Sequence, residues 1–205
     1  PLAESLRLHR VCHGSNGGIN FSSMSSDEYA ACWLESPDGE LSVDGVQPEM
    51  GGYGSRATSV TRVDGYWQVH FKVPPGLAPG WHDVTVRAGD RTSNPLRVAV
   101  DLPIHAPSLA IHRVADATTF QDRTFSRKDG LVTLWLAGVP DNADVNNTEV
   151  HLGRRRIRTT YVGAPAMEGP TQVNAEAAGA PVGRHPLWVR MGGDRSEEVI
   201  VEVTE

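Results

Sequence analysis

The segment SLRLHRV, Ser5 to Val11, returns as SLAIHRV, Ser108 to Val114. The two copies lie 103 residues apart, and other matches keep that offset. GWH at Gly80 to His82 answers GRH at Gly183 to His185, and Val86–Arg87 answers Val189–Arg190. CWLES at Cys32 to Ser36 answers LWLAG at Leu134 to Gly138, one residue short. Matches in the same order along each half imply one folding unit used twice. Each unit is about a hundred residues, an ordinary size for a small domain. This places one module at residues 1–103 and a second at 104–205. The join, DLPIHAPS, holds two prolines and is stiffer than a Gly/Ser linker, which predicts a preferred angle between the modules.

Within each copy the apolar residues alternate. In YWQVHFKV, Trp67, Val69, Phe71 and Val73 share one face, and Tyr66, Gln68, His70 and Lys72 share the other. In WHDVTVRA, Val84, Val86 and Ala88 oppose Trp81, Asp83, Thr85 and Arg87; in the second copy Leu187, Val189 and Met191 oppose Arg184, Pro186, Trp188 and Arg190. Period two marks half-buried strands. No stretch carries a 3.6-residue apolar period. The 21 glycines and 14 prolines suit tight turns between short strands. The predicted fold class is all-β: two tandem β-sandwich domains related by the internal repeat, each burying alternate positions between two sheets.

One position does not fit simple alternation. Ala30, Cys32 and Leu34 match Val132, Leu134 and Leu136 as the inward row, which puts Trp33 and Trp135 on the outer face at equivalent places. A bulky indole repeated at one position is expected to be packed, so a loop or the neighbouring module is predicted to cover it; a register-flipping bulge is the alternative.

The stretch VPPGLAPGWHDVTVRAGDRTSNPLRVAV, Val73 to Val100, resembles the closing segment of immunoglobulin-like modules of the IPT/TIG type, such as those in large secreted or surface proteins of bacteria. The second copy, VGRHPLWVRMGGDRSEEVIVEV, matches more loosely and lacks the Ser-Asn pair. The resemblance covers the last third of each unit, and the early part departs from the family pattern. It implies two tandem Ig-like β-sandwich domains of the early-set kind, an accessory or interaction role, and an extracellular or cell-surface location.

The net charge of −6 argues against a general nucleic-acid binder, whose phosphate contacts need a basic face. No apolar run is long enough for a membrane-spanning helix. The chain opens on Pro1, which suggests a piece of a longer protein with flanking domains. Cys12 and Cys32 allow one intramolecular disulfide; the alternative is two small buried side chains.

Several clusters invite chemistry. The repeated pairs His9/His112 and His82/His185 sit beside strand ends, where a shared structural task such as bonding a turn carbonyl is expected. No H-E-x-x-H or Cys/His cluster gives metal spacing. PDNADVNN, Pro140 to Asn147, concentrates oxygen ligands as a calcium loop would, but Asx-rich loops also simply turn the chain. In GRRRIR, Arg154, Arg156 and Arg158 would project from one strand face as an anion or acidic-partner patch; the alternative is a charged, protected edge. Trp81 and Trp188 are candidate ligand-contact aromatics for sugar stacking. Trp67 reads as core. Glu28, Glu35, Asp38 and Glu40 show no catalytic pairing, and no G-x-S-x-G elbow frames a nucleophile. No catalytic residue, cofactor or metal ligand is assigned. The expected role is a non-catalytic spacer or protein-interaction segment of a larger extracytoplasmic protein, with a carbohydrate-binding accessory module as the alternative.

Overall fold

The computed structural model describes residues 6–24, 27–36, 39–163 and 169–205. Ser5 of the repeated segment and Asp38 lie outside them. The chain divides into two compact units, Pro1–Leu102 and Pro103–Glu205, and the described residues contain strands and turns but no helix. No helix is therefore long and apolar enough to cross a membrane.

Unit 1 carries β1 (Arg7–His13), β2 (Asn20–Phe21), β3 (Tyr29–Glu35), β4 (Val46–Met50), β5 (Tyr53–Gly54), β6 (Ala57–Val63), β7 (Tyr66–Lys72), β8 (Gly80–Ala88), β9 (Arg91–Thr92) and β10 (Leu96–Val100). One sheet runs β1-β3-β7-β6. The other runs β2-β10-β8-β4-β5, with β9 beside β8. These are the two facing sheets of an immunoglobulin-like sandwich. The chain changes sheets between β1 and β2, and β2 pairs β10 in parallel.

Unit 2 repeats the plan with β11 (Ala110–Asp116), β12 (Thr124–Ser126), β13 (Leu131–Ala137), β14 (Thr148–Leu152), β15 (Arg155–Val162), β16 (Thr171–Glu176), β17 (Gly183–Met191), β18 (Asp194–Arg195) and β19 (Val199–Thr204). Its order is β11-β13-β16-β15-β14-β17-β19-β12, with β18 beside β17. Here β15 bonds β14 with its first half and β16 with its second, so both layers join into one continuous sheet.

The inward rows are those the alternation predicts. Val69, Phe71, Val84 and Val86 are fully buried in one core, and Leu134, Leu187, Val189 and Met191 in the other. Each such side chain contributes about 1.5–3 kcal/mol through its burial. Segment 103–106, read from sequence as linker, packs onto unit 2. The Ala106 amide donates to Asp194 Oδ2 at 2.7 Å, and Asn142 Nδ2 donates to the Pro103 carbonyl at 3.1 Å. Gly192, with φ 59°, passes so close to the Ile104 carbonyl that any β-carbon would collide with it.

The twice-written HRV now has a physical cause. In β1 the register slips between Leu8 and Arg10, so His9 and Arg10 together oppose Trp33. In β11 the same slip places His112 and Arg113 opposite Trp135. The extra residue lets Leu8 and Val11, three apart in sequence, both face the core. It also lays Arg10 over Trp33, with the guanidinium carbon 5.0 Å from the ring centroid, and Arg113 over Trp135 at 5.0 Å. The covering group predicted to be a loop or the neighbouring module is thus an arginine on the adjacent strand, delivered by a bulge.

The disulfide reading is corrected. Cys32 pairs with Val11 and faces the core, whereas Cys12 pairs with Ala31 and faces outward. Neighbouring rows of a sheet point to opposite faces, so the two buried sulfurs diverge and both cysteines are free. Burial pushes both thiols up; the Arg10 charge opposes this at Cys12, and Cys12 adds to it at Cys32.

Candidate functional site

The outer face of the β14-β17-β19 layer gathers the most concentrated side-chain chemistry. His151 on β14 and Trp188 on β17 are cross-strand partners. Their rings stack at 3.9 Å with 5° between planes. Arg195, on β18 at the other side of β17, lies 4.0 Å from the same indole and pairs with Glu198. Trp188 therefore stands between an imidazole and a guanidinium, both faces occupied. A sugar ring needs a free aromatic face, so Trp188 is not a stacking platform. Trp81 is half-buried on β8, with Arg97 5.2 Å from its ring centroid.

Beside that stack, Glu149 anchors a cluster of cations. Arg190 donates to its Oε2 from Nε at 2.9 Å and from a terminal nitrogen at 2.6 Å, Arg156 donates to Oε1 at 3.1 Å, and His151 Nε2 lies 3.2 Å away. Burial pushes the Glu149 carboxyl up. Hydrogen bonds from His151 and Arg190 and the charges of Arg156 and Arg190 outweigh it and hold the group below its ordinary value.

The arginine patch is corrected in the same geometry. Arg154 lies in the turn before β15, Arg156 joins Glu149, and Arg158 pairs with Glu176 on β16 at 2.6 Å. Because β15 passes from one layer to the other, Arg156 and Arg158 serve different layers and do not form one patch. The carboxylates that neutralise them lie seven residues before Arg156, across the β14–β15 hairpin, and eighteen after Arg158, and strand register sets which arginine each one meets.

The remaining candidates hold structure. His82 Nε2 bonds the Ala78 carbonyl at 2.7 Å and His185 Nε2 bonds the Pro181 carbonyl at 2.8 Å, the turn-carbonyl task expected of that pair. His9 pairs with Glu35 at 2.9 Å. In the Asx-rich loop Asp144 Oδ1 accepts the Asn146 and Asn147 amides, and Asn147 Oδ1 accepts the Asp144 amide, so these oxygens cap turns. Among the described residues no group of three or more His, Cys, Asp or Glu could hold a metal ion.

Unit 1 presents a different feature at the equivalent place. A cleft of 540 Å³ opens at the corner where β5 leaves one sheet for β6, lined in part by Asp44, Gln47, Gly54, Arg56 and Arg87. Periodicity gave no signal for it, because it arises between strands.

No protein-family model matches the chain, and no curated protein matches it. Solved structures do. A Bacteroides ovatus mixed-linkage glucan utilization locus protein, SGBP-B, solved with a mixed-linkage heptasaccharide, is 12% identical; the alignment covers 100% of this chain and 46% of that one, with a TM-score of 0.42. Domains 5–6 of the S-layer protein SbsC are 16% identical over 98% of this chain and 99% of that one, with a TM-score of 0.28. The Yersinia pseudotuberculosis adhesin InvE is 13% identical over 97% of this chain and 60% of that one, with a TM-score of 0.31. The chain spans less than half the length of the first of these three structures.

Proposed function

We propose that this chain is a non-catalytic, tandem Ig-like segment of a larger extracytoplasmic protein, serving as a spacer that also presents an interaction surface. The observation that carries this reading is the division of labour between the copies. The features shared by both units, namely the bulge, the Arg–Trp contact and the turn-bonding histidine, all hold the sandwich together. The outer-face residues differ: Trp188 replaces Thr85, Glu149 replaces Gln47 and His151 replaces Glu49. Duplication preserves what the fold needs and frees the exposed positions for recognition. The IPT/TIG-type assignment and the surface location rest on the sequence of Val73 to Val100.

The test is a binding panel of immobilised chain against peptides and soluble polysaccharides, run beside hydrolase assays on the same polysaccharides. Saturable binding of a peptide class without turnover is the expected result. Turnover of any substrate overturns the reading, and tight binding of a neutral polysaccharide moves it to the carbohydrate alternative.

A further inference from the structure

The cleft in unit 1 exists because of three differences from unit 2. Strands β14 and β15 pair through Val150 and Ile157. At the matching position β4 carries Pro48, which accepts a bond from the Ser55 amide at 2.8 Å but has no N–H to return. The ladder stops at Gly54, and β5 and β6 separate where β15 is continuous. Ile157, a buried side chain that fills the corner in unit 2, is replaced by Ser55. Arg156, which reaches across to Glu149, is replaced by Gly54, which reaches nothing.

The charges at this corner differ as well. In unit 2 Arg190 and Arg158 are both met by carboxylates, Glu149 and Glu176. Their unit 1 counterparts, Arg87 and Arg56, both line the cleft. Arg87 is met by the neutral amide of Gln47. The position of Glu176 is taken by Lys72, whose carbonyl accepts from Ser55 Oγ at 3.3 Å. Asp44 is the only carboxylate among the described lining residues. The second unit thus shows what these guanidinium groups hold when satisfied, and among the described residues of the first no carboxylate takes the places of Glu149 and Glu176.

We propose that the unit 1 cleft binds a carboxylate side chain of an acidic peptide, which takes the places that Glu149 and Glu176 fill in unit 2. Guanidinium groups recognise carboxylates through paired, charge-assisted hydrogen bonds. The described lining holds no aromatic ring, so a peptide fits it better than an acidic sugar that would need a stacking face. This deepens the interaction role proposed above and rests on it.

The experiment titrates the whole chain with acetylated, amidated tetraglutamate while amide chemical shifts are followed by NMR. Tetraglutamine and oligogalacturonate are the comparison ligands. Saturable shifts are expected at 43–47, 54–57 and 87–89, weakening with salt. Arg56→Gln and Arg87→Gln are each expected to weaken binding about tenfold. Gln47→Glu, which installs the unit 2 carboxylate beside Arg87, should abolish it, whereas Arg184→Gln on unit 2 should leave it unchanged. Melting curves of each variant verify folding. Equal binding of tetraglutamine, tighter binding of oligogalacturonate, shifts centred elsewhere, or no saturation would each overturn the cleft assignment. The broader interaction role would then still be decided by the peptide and polysaccharide panel.

Discussion

Unit 1 and unit 2 close the same sandwich with different chemistry at matched positions. In unit 1 Asn94 clamps the first strand: its Oδ1 accepts the Leu8 amide at 2.8 Å and its Nδ2 donates to the Leu8 carbonyl at 3.0 Å. Unit 2 has Glu197 there, and its entering segment is held through Ala106 and Asp194. The turn after the first strand is capped in unit 1 by His13, whose Nδ1 accepts the Ser15 amide at 3.2 Å. In unit 2 Asp116 accepts the Thr118 and Thr119 amides at 2.8 Å each. Yet Ser93 and Ser196 perform one task without change, each accepting the amide of a central-strand valine at 3.0 Å. Buried polar groups next to the core are retained because an unmet backbone donor there costs about 1–3 kcal/mol. Groups at the ends of strands can be exchanged for any side chain that satisfies the same backbone atoms.

Exchanging residues between the units sharpens this contrast. The largest effect is expected from Ile157→Ser, which installs the unit 1 residue. Losing a buried isoleucine and burying a hydroxyl should cost unit 2 about 3 kcal/mol. Denaturant unfolding followed by unit-resolved hydrogen exchange would measure it, and the loss should be confined to unit 2. Next, Asn94→Ala leaves two backbone groups of Leu8 unmet and should destabilise unit 1 by about 2 kcal/mol, whereas Glu197→Ala should change unit 2 by less than about 0.5 kcal/mol.

Acid offers a third comparison. Burial pushes the Asp116 carboxyl up, but the Thr119 and Thr118 amides outweigh it and hold the group below its ordinary value of 3.8; Glu149 is likewise held below 4.5. A carboxylate with a depressed folded value contributes stability that is complete above its ordinary value and is lost as the pH falls through the folded one. At the Glu149 position unit 1 carries Gln47, which does not titrate, so in acid the exchange of the β14 and β17 amides around Glu149 should rise while that of the matching β4 and β8 amides around Gln47 should not. The smallest effect is that of a reducing agent. With Cys12 and Cys32 unbridged, dithiothreitol should leave the melting temperature of both units unchanged; a fall in unit 1 alone would restore the disulfide.

Strand faces were legible along the chain because alternation is a local property. Trp67, Val69, Phe71 and Val73 could be assigned from eight consecutive residues, and the repeat announced two sandwiches before any contact was known. What the sequence could not disclose was register, which depends on which residue of one strand faces which of another. The bulge at His9, the divergence of Cys12 from Cys32 and the covering of Trp188 by His151 and Arg195 are all statements about pairs of strands. Two-residue strands such as β2, β5 and β9 are too short for any period. The cleft was invisible for a related reason, since it needs Pro48, Gly54 and Arg87 to be considered together. In retrospect a signal did exist: the second copy carries Val, Arg and Arg at those positions.

The parallel pairing of β2 with β10, and of β12 with β19, has a mechanical consequence. Each joins the early part of a unit to its end: the Ala99 and Asp101 amides donate to the Ile19 and Phe21 carbonyls, and the Glu202 and Arg127 amides donate to the Arg123 and Thr204 carbonyls. A pull applied to the two ends of either unit loads these bonds simultaneously in shear, so they must rupture together instead of peeling apart one after another. Tension along the backbone is therefore resisted at the seam where each unit's second strand meets its last.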